Sequence, residues 1–199
     1  MTASSELRES QVTSTGSRFG PVLRAAGLAR RHKVMTTITA LFVVAIIGVS
    51  LATSGSSAPS YPPAAGFTLP ALGDSARQVS LSQYSGKPVI VNFFASWCQP
   101  CQQETPLLAS WYRQQHGRVG LVGLDENDTT ADAQKFVAAK GAGYPVGFDP
   151  KTIAAGAYRV DALPQTFFLD ARHRIVDHFY GAVTKSSLAK GIALMNSAS

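Results

Sequence analysis

An α/β fold, with a central mixed sheet flanked by helices and a β-hairpin extension at its N-terminal side, is predicted by three observations. Residues 89–94 (VIVNFF) and 119–124 (VGLVGL) are almost continuously apolar, as strands covered on both faces must be. Each is followed by a stretch with apolar residues at helical spacing, giving the β–α–β–α order of a layered sheet. Residues 165–169 and 174–180 are two further strand-like runs. Only residues 170–173 separate them, so the pair must be antiparallel neighbours.

The elements follow in chain order. Residues 1–33 are rich in Ser, Thr, Gly and Arg and read as a disordered basic tail, with a short helix over 22–31 as the alternative. Residues 34–51 carry no charge and follow Arg30-Arg31-His32-Lys33, which suits a transmembrane anchor at the short end of the spanning range. Basic residues before this segment, and none among residues 52–76, place the N-terminus in the cytoplasm and the remainder outside it. A cleaved signal peptide is the competing reading, because Ser50-Leu51-Ala52 has the form of a cleavage site; the domain would then be secreted. Residues 52–66 are a Ser/Pro/Gly linker by composition, and residues 67–199 form the extracytoplasmic domain.

Within that domain, residues 67–72 and 78–81 read as the hairpin, turning at Gly73-Asp74-Ser75. A single helical turn at 81–84 stops at Gly86, and Lys87-Pro88 introduces the central strand 89–94. The next helix, about 100–116, buries Leu107, Leu108, Trp111 and Tyr112, and Pro106 should kink it. Strand 119–124 ends in the polar run 125–130, whose Asp or Thr side chains can cap a helix carrying Ala133, Phe136 and Val137 up to Gly141. Residues 145–148 are short and open between strand and loop, and 153–158 form a small helix. Thr184 caps a last helix with Leu188, Ile192 and Met195 on one face.

Charge and cysteine usage restrict the function. Six of the 18 basic residues lie in the first 33, against Glu6 and Glu9, so that tail is +4. The remaining 12 basic and 10 acidic groups leave only +2. The excess is a flank, and it argues against a nucleic-acid partner. Cys98 and Cys101 are the only cysteines, spaced C-x-x-C between a strand and a helix. Zinc needs about four ligands, and no histidine pairs with this motif, so a metal and a cofactor are both expected to be absent. The placement is that of a redox dithiol. Free amides and the dipole at a helix N-terminus stabilise a thiolate, so Cys98 is expected to be the nucleophile and Cys101 to resolve the mixed disulfide. Pro100 has no amide proton to lose there and fixes the turn. Glu104 shares a helical face with Cys101 and can relay its proton or oppose a thiolate, though a solvated helix glutamate looks the same in sequence. Trp97 reads equally as packing and as contact surface.

The segment VNFFASWCQPCQQETP resembles the thioredoxin superfamily, and within it the TlpA/ResA-like, membrane-anchored, extracytoplasmic thiol–disulfide oxidoreductases, over roughly residues 67–195. Asn92 stands where cytoplasmic thioredoxins carry a buried Asp, and Glu104 matches the branch's active-site acid. LPQTFFLD at 163–170 matches the later signature, which makes Pro164 the cis-proline candidate and Leu163 the residue whose backbone pairs with an extended substrate. Two departures are Ala162, in place of a common Gly, and His173, at a turn position usually held by Gly. The resemblance implies reduction of disulfides in exported proteins with cysteine pairs, apocytochrome c among the family's substrates, recharged by a CcdA/DsbD-like membrane thiol donor. An oxidase that inserts disulfides, and a non-catalytic thiol sensor or binding module, stay open as alternatives, because C-x-x-C does not set the redox poise.

Overall fold

The computed structural model describes residues 35, 36, 38–43 and 60–198. The tail, most of the expected 34–51 span and the first part of the expected linker lie outside the described residues. Residues 35, 36 and 38–43 are helical and exposed. Among the described residues, no helix is long and apolar enough to cross a membrane.

From residue 60 onward the elements are β1 (Thr68–Ala71), β2 (Asp74–Ser80), a 3-10 turn (Leu81–Tyr84), β3 (Val89–Phe94), α1 (Gln99–Gln115), β4 (Gly120–Glu126) and α2 (Thr130–Lys140). They continue with β5 (Val146–Asp149), α3 (Ile153–Tyr158), β6 (Gln165–Leu169), β7 (Ile175–Tyr180) and α4 (Lys185–Ser197). The strands form one seven-stranded sheet in the order β2-β1-β5-β4-β3-β6-β7. β3–β4 and β4–β5 are parallel, and the remaining neighbours are antiparallel. This is a thioredoxin-like α/β fold. The apolar runs that predicted buried strands are those at its centre, β3 and β4.

Alternation along β3 divides the interior in two. Ile90 and Phe94 face a core shared with Cys101 and Leu108 of α1, Phe136 of α2, and Leu188 and Met195 of α4. Val89, Val91 and Phe93 face the other core, closed by Leu81 and by Ala154, Ala155 and Tyr158 of α3. Gly191 lets α4 lie directly on the sheet, since a Cβ there would meet the Phe168 ring at 2.4 Å.

Several boundaries differ from the sequence reading. The hairpin turn is tighter, with β2 starting at Asp74, because Leu72 and Gly73, the latter at φ +83, complete the reversal between the paired Ala71 and Asp74. β4 runs through Asp125 and Glu126 instead of stopping at Leu124. Both are buried, because they pair with Phe148 and Asp149 of β5. The open segment at 145–148 resolves as β5, and α1 continues through Pro106. Part of the expected linker is structured. Pro63 bridges to Arg174, the Ala64 amide donates to the His173 carbonyl at 2.9 Å, and Ile175 donates to the Pro62 carbonyl at 2.8 Å.

Candidate active site

The dithiol sits where β3 runs out. After Phe94 the chain turns, with the Cys98 amide donating to the Ala95 carbonyl at 3.2 Å. Cys98 is the N-cap of α1, extended at φ −78 and ψ 108, and its Sγ accepts from the Cys101 amide at 3.2 Å. One of the helix's free N–H groups therefore points at the sulfur expected to attack. Pro100 occupies the second helical position, where no N–H is lost to the helix. Cys98 and Cys101 are joined as a disulfide with Cα atoms 5.3 Å apart. Cys98 is 5% exposed and Cys101 is fully buried, so any approach from solvent meets Cys98 first.

Glu104 does not lie in solvent. It is 2% exposed, and its carboxylate accepts from Asn92 Nδ2 at 2.8 Å and from the Val183 amide at 2.7 Å. Asn92 Nδ2 also donates to Thr166 Oγ1 at 3.0 Å. Burial raises the Glu104 carboxyl from 4.5 to about 7, against the opposing pull of the Val183 and Asn92 hydrogen bonds. An acid so placed, one helical turn beyond Cys101, changes charge near neutrality. It can hold or release a proton under conditions where an exposed glutamate stays ionised.

Trp97 is 59% exposed, and its Nε1 donates to the Asn127 carbonyl at 3.0 Å. Its indole is thus fastened to the loop after β4 while its ring stays open to solvent. The antiparallel register Phe93↔Gln165 brings the start of β6 alongside the end of β3, so Leu163 and Pro164 arrive at the sheet end from which the dithiol loop departs. The Leu163–Pro164 bond is cis, and the Pro164 carbonyl accepts from the Gly181 amide at 2.9 Å. His173, the departure noted in the β6–β7 connection, adopts φ +56, a conformation that glycine takes more readily. No group of His, Cys, Asp and Glu among the described residues is arranged to hold a metal ion.

Residues 62–178, more than half of the chain, match the AhpC/TSA family. The chain belongs to the AhpC/TSA family. This AhpC/TSA-family chain is 31% identical over 113 residues to the thiol-disulfide oxidoreductase ResA of Bacillus thuringiensis (strain Al Hakam), covering 56% of this chain and 65% of that protein. It is 29% identical over 171 residues to ResA of Geobacillus thermodenitrificans, covering 80% and 93%. Among solved structures, a thiol:disulfide interchange protein DsbE from Chlorobium tepidum superposes with a TM-score of 0.62 at 29% identity, covering 70% of this chain and 99% of that one. A DsbF homologue from Corynebacterium diphtheriae gives 0.61 at 27%, covering 71% and 95%.

Several groups at this AhpC/TSA-family site were not singled out from sequence. Thr166 and the Val183 amide belong to the Glu104 network, and Asn92, noted only as replacing an Asp, anchors it. Asp125 and Asp128 lie beside the dithiol loop, with Asp128 Oδ2 accepting from the Ser96 amide at 2.6 Å. No alternation marks Asp125 in the sequence, because β4 is buried on both faces and a charge after its apolar run imitates a loop.

Proposed function

We propose that this chain is a thiol–disulfide oxidoreductase that reduces disulfides in exported proteins. The observation that carries the reading is the Cys98–Cys101 disulfide at the N-terminus of α1, with the buried Glu104 carboxyl one turn behind Cys101. In the reduced protein the Cys98 thiolate attacks a substrate disulfide, forming a mixed disulfide and expelling one substrate thiol. Cys101 then loses its proton, attacks Cys98 Sγ and releases the second substrate thiol. The substrate gains two electrons and two protons, and the protein is left as the observed disulfide. Glu104 accepts the Cys101 proton in that second step. Trp97, Pro100, Leu163 and Pro164 form the surface against which the substrate segment lies.

The same reading places the domain, residues 67–199 with its 60–66 lead, outside the cytoplasm. Residues 34–51 tether it to the membrane, and a membrane thiol donor recharges it. The uncharged 34–51 run behind a basic flank supports this. Trapping is the test. The Cys101→Ser variant should accumulate mixed disulfides with exported proteins on non-reducing gels, and Cys98→Ser should accumulate none. Equal trapping by the two variants would refute the assigned order of attack.

A further inference from the structure

The carboxyl of Asp125 is fully buried, and neither of its oxygens receives a hydrogen bond from an N–H or hydroxyl among the described residues. Leaving a buried carboxylate without a donor is costly. The group within hydrogen-bonding reach is the carboxylate of Asp128, itself an acceptor. Two carboxylates satisfy one another only when a proton lies between them. Asp128 is committed on its other side, accepting from the Ser96 amide at 2.6 Å through Oδ2 and from the Thr129 amide at 2.7 Å through Oδ1. Ser96 lies two residues before Cys98, and its carbonyl accepts from Gln102 Nε2 at 3.1 Å, which ties the same loop to the first turn of α1. Asp125 itself is opposite Phe94, the last residue of β3, and projects to the sheet face that carries Cys98 and α1.

We infer that Asp125 and Asp128 share one proton, and that this pair positions the Ser96–Cys98 loop and adjusts the charge felt by the Cys98 sulfur. The inference rests on the oxidoreductase reading above. Asp125 touches no reacting atom and is a positioning residue. Burial first, then the Asp128 charge and carboxyl contact, then Glu126, push Asp125 up to about 8. The other charged groups on this side are Glu126, itself raised to about 7 by burial and by Asp149 of β5, and Asp132, Lys135 and Lys140 of α2, which line a surface cleft with Ser96 and Gln102. From α1 the acid on this face is Glu104. When the pair loses its shared proton it gains a second negative charge beside the helix N-cap. That charge opposes the Cys98 thiolate and removes the bond that steadies Asp128.

The test uses the full chain in detergent micelles, wild type and Asp125→Asn. The asparagine amide donates permanently to Asp128 and has no proton to lose. In the oxidised wild type, the NMR resonance of the Ser96 amide should shift with an inflection near about 8. In Asp125→Asn it should be flat there. In the reduced proteins, iodoacetamide should label Cys98 of the variant several-fold faster than that of the wild type at about pH 9, where only the wild-type pair is doubly ionised. Asp128→Asn, whose carbonyl accepts from Ser96 and whose amide donates to Asp125 at the expense of the Thr129 contact, is the second variant and should flatten the same resonance. A Ser96 resonance that titrates alike in wild type and Asp125→Asn, or in neither, overturns the inference. If the resonance behaves as expected but Cys101→Ser traps no partner, the oxidoreductase reading falls and the positioning role falls with it. The shared proton would then remain only a structural feature.

Discussion

Replacing Glu104 with Gln separates a proton relay from a packing role through the resolving step. The carboxyl ionises at about 7, so about a tenth is carboxylate one pH unit below and about nine-tenths one unit above. If the carboxylate takes the Cys101 proton, wild-type resolution climbs about tenfold between about pH 6 and pH 8 and then levels. Without it, Cys101 gives its proton to solvent base, and the rate keeps climbing about tenfold per pH unit. A positioned general base is worth at least about a hundredfold, so Glu104→Gln should resolve about a hundredfold more slowly near pH 6. That gap should shrink about tenfold by pH 8. Stopped-flow reaction of reduced protein with a chromogenic aromatic disulfide reads both steps, because attack by Cys98 and resolution by Cys101 each release one coloured thiolate. The fold is controlled separately. Gln offers one acceptor to two donors, Asn92 Nδ2 and the Val183 amide, which costs about 1–3 kcal/mol at acid pH. Urea unfolding of the oxidised variant measures that cost. A second kinetic phase with the same rate and pH profile in both proteins would return Glu104 to a purely structural role.

Three further outcomes are expected. The Cys98–Cys101 midpoint potential, titrated against glutathione, should lie at about −250 mV or below, and a value above about −180 mV would favour the oxidase alternative. Stability of the oxidised protein should fall as pH rises from about 5 to about 8. Glu104, Glu126 and Asp125 all have folded values raised above their ordinary ones, so the folded state holds the extra protons in that window and loses their contribution above it. For Glu104 alone, a rise from 4.5 to about 7 corresponds to about 3 kcal/mol, checked by urea midpoints at the two pH values; a midpoint that increases with pH would contradict the burial argument. Finally, the full chain should stay with membranes through carbonate washing and keep its N-terminus. A mature protein beginning near Thr53 would remove the anchor and leave export intact.

The centre of the fold was legible because its residues obey simple rules. An unbroken VIVNFF run belongs to a strand covered on both faces, and C-x-x-C after such a strand fell at a helix N-cap. The Leu163–Pro164 bond was marked by the family motif around it, since nothing in local propensity distinguishes one X-Pro bond from another. What escaped was polar and buried. Asp125 and Glu126 read as loop because charge is taken for exposure, yet pairing with β5 drew both into the sheet. The partners of Glu104 come from positions 92 and 183, with Thr166 accepting from the same Asn92 amide, and only the folded topology brings these residues together. Proline-rich residues 62–64 read as linker by composition. They are held by backbone hydrogen bonds that composition does not encode.

The buried acids also bear on why the dithiol should be reducing. An N-cap sulfur that accepts a helix amide is favoured as a thiolate, and taken alone that favours the reduced form and an oxidising protein. Glu104 from within α1, together with Asp125 and Asp128 from the β4 end, places negative charge on the same side of the sheet. As Glu104 and Asp125 ionise near neutral pH they oppose that thiolate. The balance should therefore move with pH more steeply than proton release from the thiols alone requires. Measured across about pH 6 to 9, the wild-type potential should bend where the carboxyls titrate. The Glu104→Gln, Asp125→Asn double variant should follow the thiol protons only. Identical curves for the two proteins would mean that the acids support the loop and the helix without setting the electron affinity of the pair.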